Sequence, residues 1–306
     1  MGKIFIRGIE THYQVRGEGP DVVLIHGLSS SLASWYNGTM PSLVEAGFRV
    51  TVYDLRGHGL SELTPNGYSS LEMAEDLKAL LDALGIDQVL LAGHSFGGAI
   101  AMHFALLNPG RARGVTLLDS GMACLRYLRV IKEWKGWDAP GMKEEGFTPD
   151  WFEAVDNQQD MSDYLKKTLS VPRIKGFRRG VGGYTPRLQK LIEGTRVGYE
   201  FRELAGLTEE RLRGLETPVL ALYGEVSPNQ RMASHLGQLM PNCWPVNLDG
   251  LGHFAALHDP KPILQRMTPF FHDPLGYVQG AKAEREAAQR TGILEPPLQT
   301  STSPLT

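Results

Sequence analysis

The chain has 306 residues, of which 42% are hydrophobic and 21% are charged, and its formal net charge is −3. This composition is typical of one large globular domain with room for an insertion. The slightly acidic balance excludes nucleic acid and anionic membrane surfaces as main partners. No apolar run approaches the roughly 20 residues that a membrane span needs, which excludes an integral membrane protein.

The amino terminus and the two cysteines favour a cytoplasmic protein. The opening segment, MGKIFIRGIE, is too short and too charged for a signal peptide. Ile6 occupies the position where a myristoylation signal needs Ser or Thr. Cys124 and Cys243 are too few for a disulfide framework and show no metal-ligand spacing. We therefore expect two reduced thiols, no metal site and no cofactor.

In chain order, the hydrophobic pattern predicts strands that alternate with helices. The segments 3–7 and 11–16 form a predicted hairpin that turns at RGIE. Near-continuous apolar runs, typical of strands buried on both faces of a parallel sheet, follow at 21–27, 48–57, 88–93, 114–121, 218–224 and 244–250. One helical face spans 71–84, and a second helix covers 97–108. This alternation predicts an α/β fold with a doubly wound, mostly parallel sheet.

The pattern changes between the apolar runs at 114–121 and 218–224, the sixth and seventh predicted strands when the hairpin is counted. Residues 122–213 are rich in charged and aromatic side chains, look helical and contain no clear strand. We interpret them as a helical cap over the carboxyl edge of the sheet, where open α/β sheets bind ligands. The core domain then comprises residues 1–121 and 214–273. Residues 274–306 lose apolar periodicity and form a predicted tail, either partly disordered or an arm that packs on a neighbour.

The segment Gly93-His94-Ser95-Phe96-Gly97 places a serine between two glycines where an apolar run ends and a helical pattern begins. A serine at the tip of a tight strand-to-helix turn needs neighbours without bulk, and glycine meets that need. Three further segments accompany this one in a characteristic order and spacing. Together the matching segments are HGLSSSLASW (26–35), YDLRGHGLSE (53–62), GHSFGG (93–98) and GLGHF (250–254).

Over about residues 3–272 the chain thereby resembles the α/β-hydrolase superfamily. The resemblance implies an eight-stranded, mostly parallel sheet with helices on both faces and a helical cap inserted after the sixth strand. It also implies that Ser95 is the nucleophile, on a turn called the nucleophile elbow. The backbone N–H groups of Leu28 and Phe96 would then form the oxyanion hole, which holds the negative charge that develops on a carbonyl oxygen.

A serine hydroxyl is a weak nucleophile until a base takes its proton. Of the nine histidines, His253 is the best candidate, because it follows the last strand in a Gly-rich loop able to reach inward. The other histidines lie in the hairpin, in early loops, on helices or beside the final helix. They are His12, His26, His58, His94, His103, His235, His258 and His272.

The residues alone leave three possibilities for the third member of the predicted triad. Relatives usually carry an Asp after the penultimate strand, and here Ser227 in YGEVSP stands at that position. A hydroxyl cannot stabilise an imidazolium as a carboxylate does. Asp119, at the end of the strand that follows the nucleophile helix, is the preferred substitute. Glu225, or a dyad without an acid, are the alternatives.

Two further groups of residues have both a functional and a structural interpretation. Six apolar or aromatic side chains either line a substrate pocket or hold the cap together: Trp35, Met122, Leu125, Trp134, Trp137 and Trp151. Residues 166–190 contain eight basic residues and no acidic one. That segment is either a solvated face or a docking patch for an anionic group.

These residues predict a metal-independent serine hydrolase that cleaves a carboxylic ester or lactone of a small, largely apolar molecule through an acyl-enzyme. Serine at position 95 argues against epoxide hydrolases and dehalogenases of the superfamily, whose nucleophile is Asp. Thioester and carbon–carbon bond hydrolysis stay open, because the same triad performs them. A protein that binds a ligand without turnover, on the same fold, is a further alternative.

Overall fold

A computed structural model describes residues 2–132, 134, 148–156, 158–170, 185–254 and 259–291. Within these residues one sheet has the strand order β1-β2-β4-β3-β5-β6-β7-β8. The strands β1 and β2 are antiparallel, β2 pairs antiparallel with β4, and the remaining neighbours are parallel. The strands are β1 Gly2–Ile6, β2 Ile9–Arg16, β3 Asp21–Ile25, β4 Arg49–Tyr53, β5 Val89–His94, β6 Ala112–Leu118, β7 Val219–Gly224 and β8 Cys243–Leu248. This architecture confirms the predicted fold class.

The central strands are buried on both faces of the sheet, as their apolar runs predicted. In β3, Val22 and Leu24 face one side and Val23 and Ile25 face the other, and all four are fully buried. Because successive side chains pack alternately into two apolar layers, a hydrophobic residue is favoured at each of these positions. This is why continuous apolar runs, rather than alternating ones, mark these strands in the sequence.

Helices cover both faces. The helices α1, Thr39–Glu45, and α10, Lys261–His272, contribute to the apolar layer on one face, together with the start of α11. The opposite layer includes α2, α3 and α9. Their bounds are α2 Ser70–Ala83, α3 Phe96–Leu107, α9 Gln230–Leu239 and α11 Pro274–Arg290.

Between β6 and β7 the described residues form helices and no strand. A 3₁₀ helix covers Ala123–Leu128. The other helices are α4 Pro149–Asp156, α5 Ser162–Ser170, α6 Pro186–Gly194, α7 Val197–Glu200 and α8 Glu209–Arg213. We call this segment the insertion. Hydrogen bonds join it to loops of the sheet domain: for example, its Trp134 indole donates to the Val226 carbonyl (2.7 Å), and its Glu200 carboxylate accepts from the backbone N–H of Tyr68 (2.9 Å).

The helix α11 occupies much of the segment that the sequence pattern assigned to a tail. Asp273 caps it by accepting from the Gly276 N–H, and Pro274 stands in its first turn, where proline is tolerated. Pro274 and Val278 are its buried residues. Because two apolar positions anchor the helix, the sequence carries little periodicity there. The expected disorder at 292–306 lies outside the described residues. None of the helices described is both long and apolar enough to cross a membrane.

Candidate active site

Ser95 lies in the turn between β5 and α3, with a φ of 53° and a ψ of −120°. A positive φ is costly for a residue with a Cβ, so surrounding packing must hold the turn. A Cβ on Gly93 would collide with the backbone of Gly97, and a Cβ on Gly97 would collide with the Ile25 carbonyl. The two glycines therefore let the turn close against itself and against β3, as the motif predicted.

The structure brings Ser95 together with the predicted His253 and Asp119. His253 Nε2 lies 3.1 Å from Ser95 Oγ, and His253 Nδ1 lies 2.8 Å from Asp119 Oδ1. The Ser95 residue is partly buried, and the His253 side chain keeps 21% of its surface exposed. A hydroxyl, an imidazole and a carboxylate thus form one hydrogen-bonded line that small molecules can approach.

Asp119 is held by four donors from two segments of the chain. Besides His253, it accepts from the Ser227 hydroxyl (2.5 Å), the Asn229 side-chain amide (3.1 Å) and the Gly224 N–H (2.9 Å). Burial opposes ionisation of this carboxyl, but the bond and charge of His253 and the bonds from Ser227 and Gly224 outweigh it, so the Asp119 pKa is lowered. Asp119 is therefore a carboxylate at neutral pH.

The proton positions on His253 follow from its partners. A carboxylate can only accept a hydrogen bond, so Nδ1 carries the ring proton and donates it to Asp119. In the neutral ring Nε2 then has a free lone pair that faces Ser95 Oγ. This tautomer can take the serine proton.

The two other acid-site candidates have different surroundings. The Glu225 carboxylate accepts from the Gly250 N–H (2.9 Å), at the start of the loop that carries His253. Ser227, at the usual position of the acid in relatives, donates to Asp119. Sequence reasoning missed Asn229, although it follows two residues after Ser227. The one signal in the sequence was a side-chain amide two residues after Ser227, the position where relatives carry the acid.

The loop after β3, residues 26–31, carries Leu28, the predicted oxyanion-hole donor, and we call it the oxyanion loop. It passes directly beside the elbow. A Cβ on Gly27 would lie 3.0 Å from Ser95 Cβ. The Gly27 carbonyl accepts from His26 Nδ1 (2.8 Å) and from the Ser30 N–H (3.2 Å), and His26 Nε2 accepts from the Leu55 N–H (3.1 Å). In a trans peptide the N–H points opposite to the C=O, so the Leu28 N–H points away from the His26 ring.

Phe96 is the first residue of α3, where a backbone N–H has no acceptor within the helix. It lies next to Ser95 on the elbow, and the positive end of the helix dipole is at the same place. The Phe96 ring packs edge-to-face on Phe201 of the insertion, with a centroid distance of 6.2 Å. In the described part of the chain the Phe96 N–H, the predicted donor, is thus free for a ligand oxygen. The Phe96 side chain contacts the insertion.

The predicted pocket residues are distributed over different environments. Trp35 is fully buried in the apolar layer of α1 and α10, which places it in the core. Met122 and Leu125 are buried in the opposite layer, just beyond β6. Trp134 and Trp151 pack with Phe152 in a small cluster of the insertion. Trp137 lies outside the described residues.

The basic segment is described in part. Lys166 lies 3.8 Å from Asp163 and 4.0 Å from Glu193, and Lys167 stands 4.2 Å above the Trp151 ring. Arg187 donates to the Ser61 carbonyl. Lys190 is exposed at α6. Four of the basic residues lie outside the described residues: Arg173, Lys175, Arg178 and Arg179.

A search of the described residues finds no cluster of histidine, cysteine and carboxylate side chains that could hold a metal ion. The two cysteines are free thiols, and burial raises the pKa of Cys124 to about 11 and of Cys243 to about 12. Both thiols therefore stay protonated near neutral pH.

Comparison with known proteins gives relatives with several hydrolase activities. A soluble epoxide hydrolase of Corynebacterium sp. strain C12 is 28% identical over 294 residues, which cover 87% of this chain and 95% of that protein. Epoxide hydrolase 2 of Siraitia grosvenorii is 33% identical over 198 residues, 57% of this chain. That match spans 59% of the Siraitia protein.

Among solved structures, Est816, described as an N-acyl homoserine lactone degrading enzyme, superposes with a TM-score of 0.63. It is 24% identical, and the match covers 88% of this chain and all of that one, so it shows a shared fold. The family model described as the alpha/beta hydrolase fold matches residues 20–260. The chain therefore belongs to the α/β-hydrolase fold family.

Proposed function

We propose that the protein is a serine hydrolase that cleaves a carboxylic ester or lactone of a small, largely apolar molecule through an acyl-enzyme. One observation carries the proposal: Ser95, His253 and Asp119 are joined by hydrogen bonds of 3.1 and 2.8 Å. A base in contact with the nucleophile, oriented by a third group, is the arrangement that nucleophilic catalysis by serine requires.

In the first half-reaction, Ser95 Oγ attacks the ester carbonyl carbon while its proton passes to His253 Nε2. The carbonyl π electrons move to the oxygen and give a tetrahedral oxyanion. When the carbon–oxygen bond to the alcohol breaks, His253 returns the proton to the leaving oxygen. The ionised Asp119 stabilises the imidazolium that exists between these two proton transfers.

In the second half-reaction, water repeats the sequence on the acyl-enzyme. His253 takes a proton from the water as its oxygen attacks, and then protonates Ser95 Oγ as the acid leaves. We propose that the N–H groups of Leu28 and Phe96 hold the oxyanion in both halves. Support comes from the peptide of Gly27, whose carbonyl is turned toward His26, and from the place of Phe96 at the start of α3.

The identity of the nucleophile favours ester or lactone substrates over epoxides, although named relatives are epoxide hydrolases. An aspartate that opens an epoxide forms an ester, which water can cleave. A serine that opened an epoxide would form an ether, which has no carbonyl for water to attack. With Ser95 as nucleophile, turnover therefore needs an acyl group, and the fold shared with Est816 is compatible with lactones.

We propose that the insertion acts as a cap over this site, with the buried side chains of Met122 and Leu125 in the apolar layer beneath it. The proposal is supported by the contact between Phe201 and Phe96, next to the nucleophile. Open α/β sheets bind ligands at the carboxyl ends of their strands, and Met122 follows β6 at that edge.

The test is a panel of p-nitrophenyl esters of increasing chain length, simple lactones and epoxides, assayed with the wild type and Ser95→Ala. We expect ester or lactone turnover and fluorophosphonate labelling in the wild type, both lost in Ser95→Ala. Ser70→Ala removes another buried serine, whose hydroxyl bonds His103 rather than a member of the proposed triad, and is the matched control that keeps both. Epoxide turnover without ester turnover or labelling would contradict the proposal.

A further inference from the structure

A second imidazole lies behind the first. His94, immediately before Ser95, is 2% exposed, and its Nε2 lies 2.8 Å from the backbone carbonyl oxygen of His253. The centroids of the two imidazole rings are 5.1 Å apart. His94 also borders the oxyanion loop, because a Cβ on Gly27 would lie 3.2 Å from its Nδ1. One side chain therefore lies between the elbow, the oxyanion loop and the base.

The loop that carries His253 has separate anchors at its start and at the histidine. At the start, the Glu225 carboxylate accepts from the Gly250 N–H (2.9 Å), and the Val226 N–H donates to the Leu251 carbonyl (3.1 Å). Two glycines, at 250 and 252, leave the backbone there with wide conformational freedom. In the described part of the chain, the hydrogen bond to the backbone of His253 comes from His94.

The direction of this bond is fixed by chemistry. A carbonyl oxygen can only accept, so His94 Nε2 must carry a proton and donate it. Burial, and then the charge of His253, lower the pKa of His94 to about 4, so the ring holds one proton near neutral pH. That proton is on Nε2, and Nδ1 is a buried acceptor for which the described residues offer no donor.

We propose that His94 is a positioning residue: its Nε2–H holds the His253 carbonyl and thereby keeps the His253 imidazole within reach of Ser95 Oγ. This inference rests on the proposed serine hydrolase function. A displacement of about 1 Å at a reacting group can lower a rate about 100-fold. A hydrogen bond that fixes the backbone of His253, the proposed base, should therefore affect kcat.

A matched pair of variants isolates the hydrogen bond. His94→Gln places an amide N–H near the position of Nε2, whereas His94→Met has similar length and volume without a donor. We expect kcat within about threefold of wild type in His94→Gln and about 100-fold lower in His94→Met, with KM nearly unchanged in both. Equal kcat in the two variants, with both folded, would overturn the proposal.

A double-mutant cycle separates positioning of His253 from a general effect on the elbow. In a His253→Ala background, His94→Met should cause no further loss of residual ester cleavage, because the group that it positions is gone. Losses that multiply instead would show that His94 acts through Ser95 or the fold. His103→Met, at another buried hydrogen-bonded histidine, is the control expected to keep wild-type kcat.

The cycle also distinguishes failure of this inference from failure of the proposed function. If wild type and His253→Ala are equally inactive on esters, the hydrolase proposal fails. If His253→Ala is inactive but His94→Met is fully active, the positioning role alone fails. Should His94→Met not fold, nitrogen-15 NMR of wild-type histidines at neutral pH gives the answer: a proton on Nδ1 of His94 instead of Nε2 would refute the donated bond.

Discussion

At position 119, one carboxylate accepts hydrogen bonds from a histidine, a hydroxyl, an amide and a backbone N–H. Ser227, Asn229 and Gly224 orient its oxygens, and one of these oxygens then faces His253 Nδ1. Ser227, at the position where relatives carry the acid, donates to this carboxylate at the end of β6, which fits the proposal that Asp119 is the acid. A triad with its acid at this strand end is chemically complete.

Replacing the carboxylate should test this arrangement directly. Asp119→Asn removes the charge that stabilises the imidazolium and lets the ring adopt the wrong tautomer, so we expect kcat to fall by about 10³- to 10⁴-fold. Glu225→Gln keeps an acceptor for the Gly250 N–H, and we expect less than a tenfold change. Steady-state kinetics on the best ester of the panel measure both. Near-normal turnover in Asp119→Asn would remove Asp119 from the mechanism.

Moving the acid back provides a complementary prediction. Ser227→Asp alone would put two carboxylates within about 3 Å, where they share one proton, and kcat should fall. In the Asp119→Asn background the same Ser227→Asp change supplies the missing charge next to His253. We expect the double variant to regain at least about tenfold of the activity that Asp119→Asn loses. A double variant no better than Asp119→Asn would show that position 227 cannot reach His253 productively.

How far the site could be predicted depends on whether a residue's role is encoded locally. Ser95 was predictable, because the elbow needs glycines two residues away on each side. His253 was predictable, because it is the histidine in a Gly-rich loop after the last strand. Asp119 was one choice of three, since the decision depends on donors that converge on it from the end of β7 and the segments after β7 and β8. The contacts of Asn229 and His94 exist only in three dimensions.

At the scale of elements, the loop after β3 is tied to the loop after β4. His26 Nε2 accepts from the Leu55 N–H, so Nδ1 must carry the ring proton, and Nδ1 donates to the Gly27 carbonyl. Burial lowers the pKa of His26, which keeps the ring neutral as these two bonds require. The packing of two strand ends thus fixes the direction of the Leu28 N–H.

We expect His26→Phe to lower kcat by about 10- to 100-fold, because the Gly27 peptide can then rotate and the Leu28 donor is lost in part. A phenylboronic acid, which forms a tetrahedral adduct on Ser95, should lose affinity by a similar factor while KM stays within about threefold. His58→Phe is the matched control, since His58 packs on His26 at 5.3 Å between ring centroids and bonds the Arg56 carbonyl. Unchanged boronate affinity in His26→Phe would refute the role.

The elements were predictable wherever burial repeats along the chain. Strands of the parallel region carry long apolar runs, α2 buries one apolar face, and α3 is buried from Phe96 to Ala105, so these patterns are strong. The helix α11 was missed because Pro274 and Val278 are its buried residues and the remainder faces outward. The spacing of apolar residues also does not predict how α4 to α8 pack over the sheet, because each of these helices is short and has its own apolar face.

For the molecule as a whole, several buried histidines link folding to pH. Burial lowers the pKa of His58 to about 3 and of His103 to about 4, from an ordinary 6.5, and His94 is lowered to about 4. Each folded-state pKa lies below the unfolded value, so the unfolded chain binds more protons between those pH values. The stabilisation is complete above about pH 6.5 and is lost as the pH falls toward 4.

We therefore expect the free energy of unfolding to fall steeply between pH 6.5 and 4, by about 3 kcal/mol for a group such as His103. His103 joins α2 to the insertion, because its ring bonds Ser70 Oγ (2.9 Å) and the Ala205 carbonyl (3.2 Å). His103→Gln should be less stable than wild type at pH 8 and should show a shallower decline toward pH 4. Urea unfolding midpoints across this range measure both slopes. Parallel slopes in the two proteins would mean that His103 already titrates in the folded state as it does in the unfolded chain, and the acid sensitivity would then have to come from His58, His94 or the carboxylates.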